Sequence, residues 1–148
     1  MVEKTRTIAI QRDCKECLNI ILNSLSTLKG VLLMRIFDDM FVITYDTDKI
    51  KFNDIVQLIL SLGVGVFLRK VIISVNTKAL DAESLSKSLI ESVDGVVELI
   101  LDPHASLISI LMHPDVNPSE VINLLKARGV NVREVVIDEV SQVMMARS

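Results

Sequence analysis

Leu28-Lys29-Gly30-Val31 and Val93-Asp94-Gly95-Val96 stand 65 positions apart in the chain. Sliding the sequence over itself by that step lays Ile8 on Ile73, Ile10 on Val75, Leu25 on Ile90 and Ile36 on Leu101. Farther on, Leu62-Gly63-Val64 falls on Arg128-Gly129-Val130 at a step of 66, so the second stretch carries a small net insertion. A single glycine match arises by chance. Glycines that recur together with apolar positions point to one unit of about 66 residues used twice.

The first unit reads outward from Gly30. Thr7–Ile10 alternates as a strand does. From Cys17 to Leu28, Leu18, Ile21, Leu25 and Leu28 keep helical spacing, and Gly30 stops the helix. Val31–Phe37 and Met40–Tyr45 are two strands around Asp38-Asp39, a hairpin signal. A second helix spans Asn53–Leu62, ended by Gly63, and Val64–Leu68 is a last strand. The second unit repeats the order: a strand over Val71–Val75, a helix over Asp81–Val93, and strands over Val96–Leu101 and Leu107–Met112. A helix over Pro118–Ala127 follows, with Asn117 as N-cap and Pro118 at the first helical position. Val132–Ile137 closes it.

Each half is therefore β-α-β-β-α-β, the order of a ferredoxin-like sandwich with two helices on one face of a four-stranded antiparallel sheet. The expected class is α+β, built as two tandem ferredoxin-like βαββαβ sandwiches over residues 1–68 and 69–148. No Gly/Ser or Pro-rich linker separates them, only Leu68-Arg69-Lys70, so the halves are expected to touch. Units of this size are marginal alone.

Composition narrows the function. Half of the 148 residues are hydrophobic, but only 3% are aromatic, with no Trp, which argues against base-stacking platforms. The net charge is −3 and no basic run occurs, so no nucleic-acid partner is expected. Residues 1–68 carry eight Lys/Arg and eight Asp/Glu, against eight and eleven in residues 69–148. Long-range steering to a charged partner is not indicated for the first half. The N-terminus lacks the apolar core of a secretory signal. The apolar stretch from Ile55 to Val75 is interrupted by Gln57, Ser61, Gly63, Gly65, Arg69 and Lys70, so no membrane insertion is expected. A soluble cytoplasmic protein is the expectation. The sequence shows no Gly-rich phosphate loop, no Gly-x-Ser-x-Gly and no His-x-x-x-His pair, so it does not read as an enzyme.

The only two cysteines are Cys14 and Cys17, in Gln11-Arg12-Asp13-Cys14-Lys15-Glu16-Cys17. On this layout Cys14 leaves the first strand and Cys17 opens the first helix. A helix N-terminus favours thiolate over thiol, Lys15 acts the same way, and Asp13 and Glu16 oppose it. Two thiolates at this spacing can converge on one soft cation. In a reducing compartment such a pair is more often metal-binding or catalytic than a structural disulfide. At the step of 65, Cys14 lands on Ala79 and Cys17 on Ala82, so the pair looks like a site on one unit of a shared scaffold. Small alanines there fit a packing role for the cysteines as well. A redox pair is the chemical rival, but the aromatic neighbour and later cis-Pro that usually attend one are not evident. His104 and His113 read as surface residues near the second hairpin, and Met144 and Met145 as core contacts.

The strand, Cys-x-x-Cys, helix, Leu-Lys-Gly-Val and later Leu-Gly resemble the heavy-metal-associated domain family, to which copper chaperones and the N-terminal modules of metal-pumping P-type ATPases belong. The likeness covers residues 6 to 68. The second unit is similar in pattern only, as a degenerate copy without the cysteines. Where the family runs Gly-Met-x-Cys-x-x-Cys, this chain has Gln11 and Arg12, and a charged Arg12 needs a partner to sit in an apolar pocket. The resemblance implies a Cu(I) chaperone or buffer with Cys14 and Cys17 as ligands. It equally admits Zn(II) or Cd(II), with Asp13 as a third ligand, as in the family's zinc and cadmium branch. It implies a metal-transporting P-type ATPase domain or a metalloregulator as partner, and a second copy of the chain is a further candidate. The contrasting expectation is a metal-free regulatory or interaction module of paired ferredoxin-like units, similar to ACT-type domains, with the cysteines incidental.

Overall fold

Alternating apolar residues set the strands and glycines end the helices. The computed structural model describes residues 2–11, 15–38, 40–76, 81–102 and 104–144, and for residue 15 and residues 139–144 the backbone alone. The element order is β1 (Glu3–Ala9), α1 (Lys15–Ser26), β2 (Val31–Phe37), β3 (Met40–Asp46), α2 (Phe52–Ser61), β4 (Val66–Val75), α3 (Ala82–Ser92), β5 (Val96–Asp102), β6 (Leu107–Met112), α4 (Pro118–Ala127) and β7 (Val132–Met144). The chain is α+β, with two sheets whose described pairings are antiparallel and, among the described residues, four helices. It divides into two compact units, Met1–Phe67 with Val143–Ser148, and Leu68–Gln142.

In the first unit the sheet order is β1-β3-β2. β1 lies antiparallel on β3 from Glu3↔Asp46 to Ala9↔Met40. Phe41, Ile43 and Tyr45 of β3 point inward with Arg6, Ile8 and Ile10. Ile21 and Leu25 of α1, and Phe52, Ile55, Val56 and Ile59 of α2, complete this core. Each such apolar side chain contributes about 1.5–3 kcal/mol relative to exposure. The backbone N–H of Lys51 donates to the Asp54 carboxylate at 3.0 Å, tying down the start of α2.

In the second unit the order is β5-β6-β4-β7, with β6 antiparallel to both β4 and β5. Val71, Ile73 and Val75 meet Ile108, Ile110 and Met112 under Leu85 and Leu89 of α3 and Val121 and Leu125 of α4. This connectivity is consistent with a ferredoxin-like fold. Asp81 caps α3 by accepting from Ser84 N–H, and Asn117 caps α4 by accepting from Ser119 N–H.

One corner recurs in both units. The N–H of Asp46 donates to Gly30 C=O at 2.8 Å, and the N–H of His113 donates to Gly95 C=O at 2.8 Å. Asp48 N–H donates to the Asp46 carboxylate at 3.0 Å, as Asp115 N–H does to His113 Nδ1 at 3.1 Å. Both glycines have positive φ, +106° and +113°. The register slips at Val31/Leu33 and at Val96/Glu98. The two hairpins differ in length. Phe37 corresponds to Asp102, but Met40, its partner across the hairpin, corresponds to Leu107, so the second hairpin loop is two residues longer. The segment between Asp46 and Phe52 is one residue longer than that between His113 and Pro118, which leaves a net gain of one.

Several expectations shift. Val64–Leu68 and Val71–Val75 are not separate strands: β4 runs unbroken over Val66–Val75. Nothing between them forces a turn, and burial alternates through the strand except at the neighbouring Arg69 and Lys70. α1 starts at Lys15 rather than Cys17, and β7 continues to Met144. His113 is buried rather than on the surface, whereas His104 is exposed.

Candidate metal centre

β1 ends at Ala9, and its continuation is held to the start of β4. Ile10 forms an antiparallel bridge with Val66, and Gln11 N–H donates to Gly65 C=O at 2.8 Å. This fixes the place from which the chain leaves the sheet before α1 begins at Lys15. Cys17 is the third residue of α1 and is half-buried. Ile21 and Leu25, four and eight residues on, are fully buried, so Cys17 stands at the head of the inward stripe of the helix. The first-turn N–H groups lack intrahelical acceptors and carry the positive end of the helix dipole, which favours a thiolate. Glu16 beside it is exposed.

Arg12, Asp13 and Cys14 lie outside the described residues, as does Met145. Of the three ligands drawn from the sequence, Cys17 alone is placed. Among the described residues no three His, Cys, Asp or Glu side chains gather into a group that could hold a metal ion. The two histidines serve turns. Asp102 carboxylate accepts from the N–H groups of His104 and Ala105 at 3.1 and 3.2 Å. His113 Nδ1 lies 3.0 Å from the carboxylate of Asp115.

A buried cation escaped the sequence reading. Arg6 is 4% exposed; its Nε donates to Tyr45 Oη at 2.9 Å, and its guanidinium sits 5.3 Å from the Phe52 ring centroid. Parity would have found it, because Arg6 shares a strand face with Ile8 and Ile10. No helix among the described residues is long and apolar enough to cross a membrane.

No family model and no curated protein matches this chain. Among solved structures it is similar to the water-soluble region of the P-type ATPase CopA from Bacillus subtilis, at 18% identity over 89% of this chain and 91% of that one, with a TM-score of 0.49. A solution structure of the N-terminal soluble domains of Bacillus subtilis CopA gives 17% identity over 89% and 93% of the two chains and a TM-score of 0.48. The N-terminal extension of Cupriavidus metallidurans CzcP gives 15%, 87% and 98%, and 0.33.

Proposed function

We propose that the chain is a binding module for a thiophilic metal ion, held by the thiolates of Cys14 and Cys17 at the junction of β1 and α1. In this reading the two units are tandem ferredoxin-like copies of which only the first binds metal. The observation that carries it is the placement of Cys17 in the first turn of α1, where backbone N–H groups favour its anionic form and part of the side chain reaches solvent.

Two thiolates favour a soft ion, and Cu(I) suits a two-sulfur site. Zn(II) or Cd(II) would draw in further ligands, Asp13 or groups from another molecule. Transfer proceeds by ligand exchange. An incoming thiolate of the partner bonds to the metal, a three-coordinate intermediate forms and one Cys–metal bond breaks; a second partner thiolate then displaces the remaining Cys in the same way. No electron changes hands, and relative affinity sets the direction. The partner is a thiol-bearing domain of a metal-transporting P-type ATPase or a metalloregulator, and the work is binding and transfer in the cytoplasm rather than catalysis.

Equilibrium dialysis of the full chain against Cu(I), under reducing conditions and with sulfur-to-metal charge-transfer absorption recorded, tests this. One equivalent is expected for the parent and none for the Cys14→Ser/Cys17→Ser variant. Equal uptake by both, or no uptake by the parent, would overturn it.

A further inference from the structure

β2 is a terminal strand of the first sheet, paired with β3 on one side. Its sequence, Val31-Leu32-Leu33-Met34-Arg35-Ile36-Phe37, has the composition of a core strand, yet no residue in it is buried. Leu33 and Phe37 are 52% and 54% exposed, Leu32 45%. The register explains which faces are open. Met34 and Ile36 lie opposite Ile43 and Phe41, on the helix-covered face, whereas Leu33, Arg35 and Phe37 lie opposite Thr44, Val42 and Met40 on the other. Even on the covered face, Ile36 remains exposed.

The equivalent strand of the second unit is built differently. In β5, Val96, Val97 and Leu99 are buried, and Glu98 and Asp102 place acids along the strand. α3 packs more extensively on β5 than α1 does on β2. Charged side chains on an edge discourage pairing with another chain, and a long apolar edge invites it. Both edges carry a bulge near their start, but the second unit adds acids along its edge, where the first has Arg35 as the only charge within the strand.

We propose that β2 is the contact through which two copies of this chain pair edge to edge, antiparallel, joining their three-stranded sheets. The charges flanking the strand select this occupant and this direction. Lys29 precedes β2 and Asp38 follows it, both exposed. Antiparallel pairing about a two-fold axis brings Lys29 of each copy to the Asp38 end of the other, at both ends of the ribbon. Parallel pairing would set Lys29 against Lys29 and Arg35 against Arg35, like charges that destabilise a sheet. A two-fold axis at Met34, the midpoint of β2, sets Leu33 of each copy opposite Arg35 of the other, both on the open face; the bulge between Val31 and Leu33 interrupts regular pairing beyond them. This pairing uses no metal and stands apart from the thiolate reading.

Sedimentation equilibrium of the full chain, across micromolar to sub-millimolar concentrations with reductant and chelator present, reads the outcome. A dimer is expected, both for the parent and for the Cys14→Ser/Cys17→Ser variant. Leu33→Lys, which sets a cation opposite Arg35 twice, should raise the dimer dissociation constant by at least about tenfold. Leu33→Glu removes the same apolar surface but sets an acid opposite Arg35, so it should dimerise more tightly than Leu33→Lys. Ile100→Lys on β5 should leave the association unchanged. In the parent, hydrogen-exchange protection of the β2 amides should rise with protein concentration. A monomer throughout, loss of the dimer in the serine variant, equal behaviour of Leu33→Lys and Leu33→Glu, or β2 protection independent of concentration would each overturn the proposal.

Discussion

Replacing Gly30 with alanine isolates the corner on which the first unit turns from α1 into β2. Two costs add there. The backbone sits at φ +106°, a conformation that an L side chain adopts at roughly 1–2 kcal/mol. A Cβ at Gly30 would also lie 2.9 Å from both Ile50 Cγ2 and Lys49 Cβ. Ile50 is buried and Lys49 Cβ is rooted on the backbone, so neither yields as a flexible side-chain tip would, and overpacking of this kind costs about 1–3 kcal/mol. Gly63 supplies the internal control: its φ is +82°, yet nothing lies within 4 Å of where its Cβ would stand. Alanine also lowers the entropy of the unfolded chain, which returns roughly 0.4–1 kcal/mol at either position. Gly30→Ala should therefore destabilise by about 2–4 kcal/mol and Gly63→Ala by about 1 kcal/mol. Tyr45 is the only tyrosine, the chain has no tryptophan, and Val31 of β2 lies opposite it, so tyrosine fluorescence in a urea titration reports on this corner. If the two variants lose equal stability, the close approach to Lys49 and Ile50 contributes nothing and the reasoning fails.

Arg6→Ala should cost about 2–4 kcal/mol, from the charged hydrogen bond to Tyr45 and the contact with Phe52. Arg6→Met, which keeps much of the volume, should recover at least half of that in urea titrations followed by far-ultraviolet dichroism; equal losses would mean that packing plays no part. Asn117→Ala removes the acceptor of the Ser119 N–H, held at 3.0 Å, and should lower stability by about 1 kcal/mol in the same assay, with Asn117→Asp near the parent.

Local signals made much of the fold legible. β6 and α4 have the bounds that alternation and the Asn117-Pro118 start predict, because period and cap chemistry act over a few residues. What stayed hidden depended on partners distant in sequence. Arg69-Lys70 looks like a separator, but β4 continues through it because a strand accommodates two neighbouring polar residues where its burial pattern changes phase. His113 looks like a surface residue until its place at the Gly95 corner is known. β2 looks like a core strand, since its exposure is decided by how far α1 covers it. At the candidate metal site, spacing pointed to Cys14 and Cys17 and the family resemblance to Asp13, and Cys17 is the one that the described residues position.

The junction between the first strand and first helix of each unit is where the two diverge most in chemistry. The shared corner at Gly30 and Gly95 keeps the same hydrogen bonds although Asp46 and His113 supply them. Ala82, 65 positions beyond Cys17, is the first residue of α3, and the carboxylate of Asp81 just ahead of it accepts the Ser84 N–H at 3.2 Å. The second unit thus satisfies its helix N-terminus with an anion of its own. In the first unit the residue matching Asp81 is Glu16, which lies inside α1 because that helix starts two residues earlier, and the thiol of Cys17 follows it in the first turn. A helix end closed by its own carboxylate has little use for another anion. The first turn of α1 holds the thiol of Cys17 beside the carboxylate of Glu16, and its N–H groups favour the anionic form of that thiol.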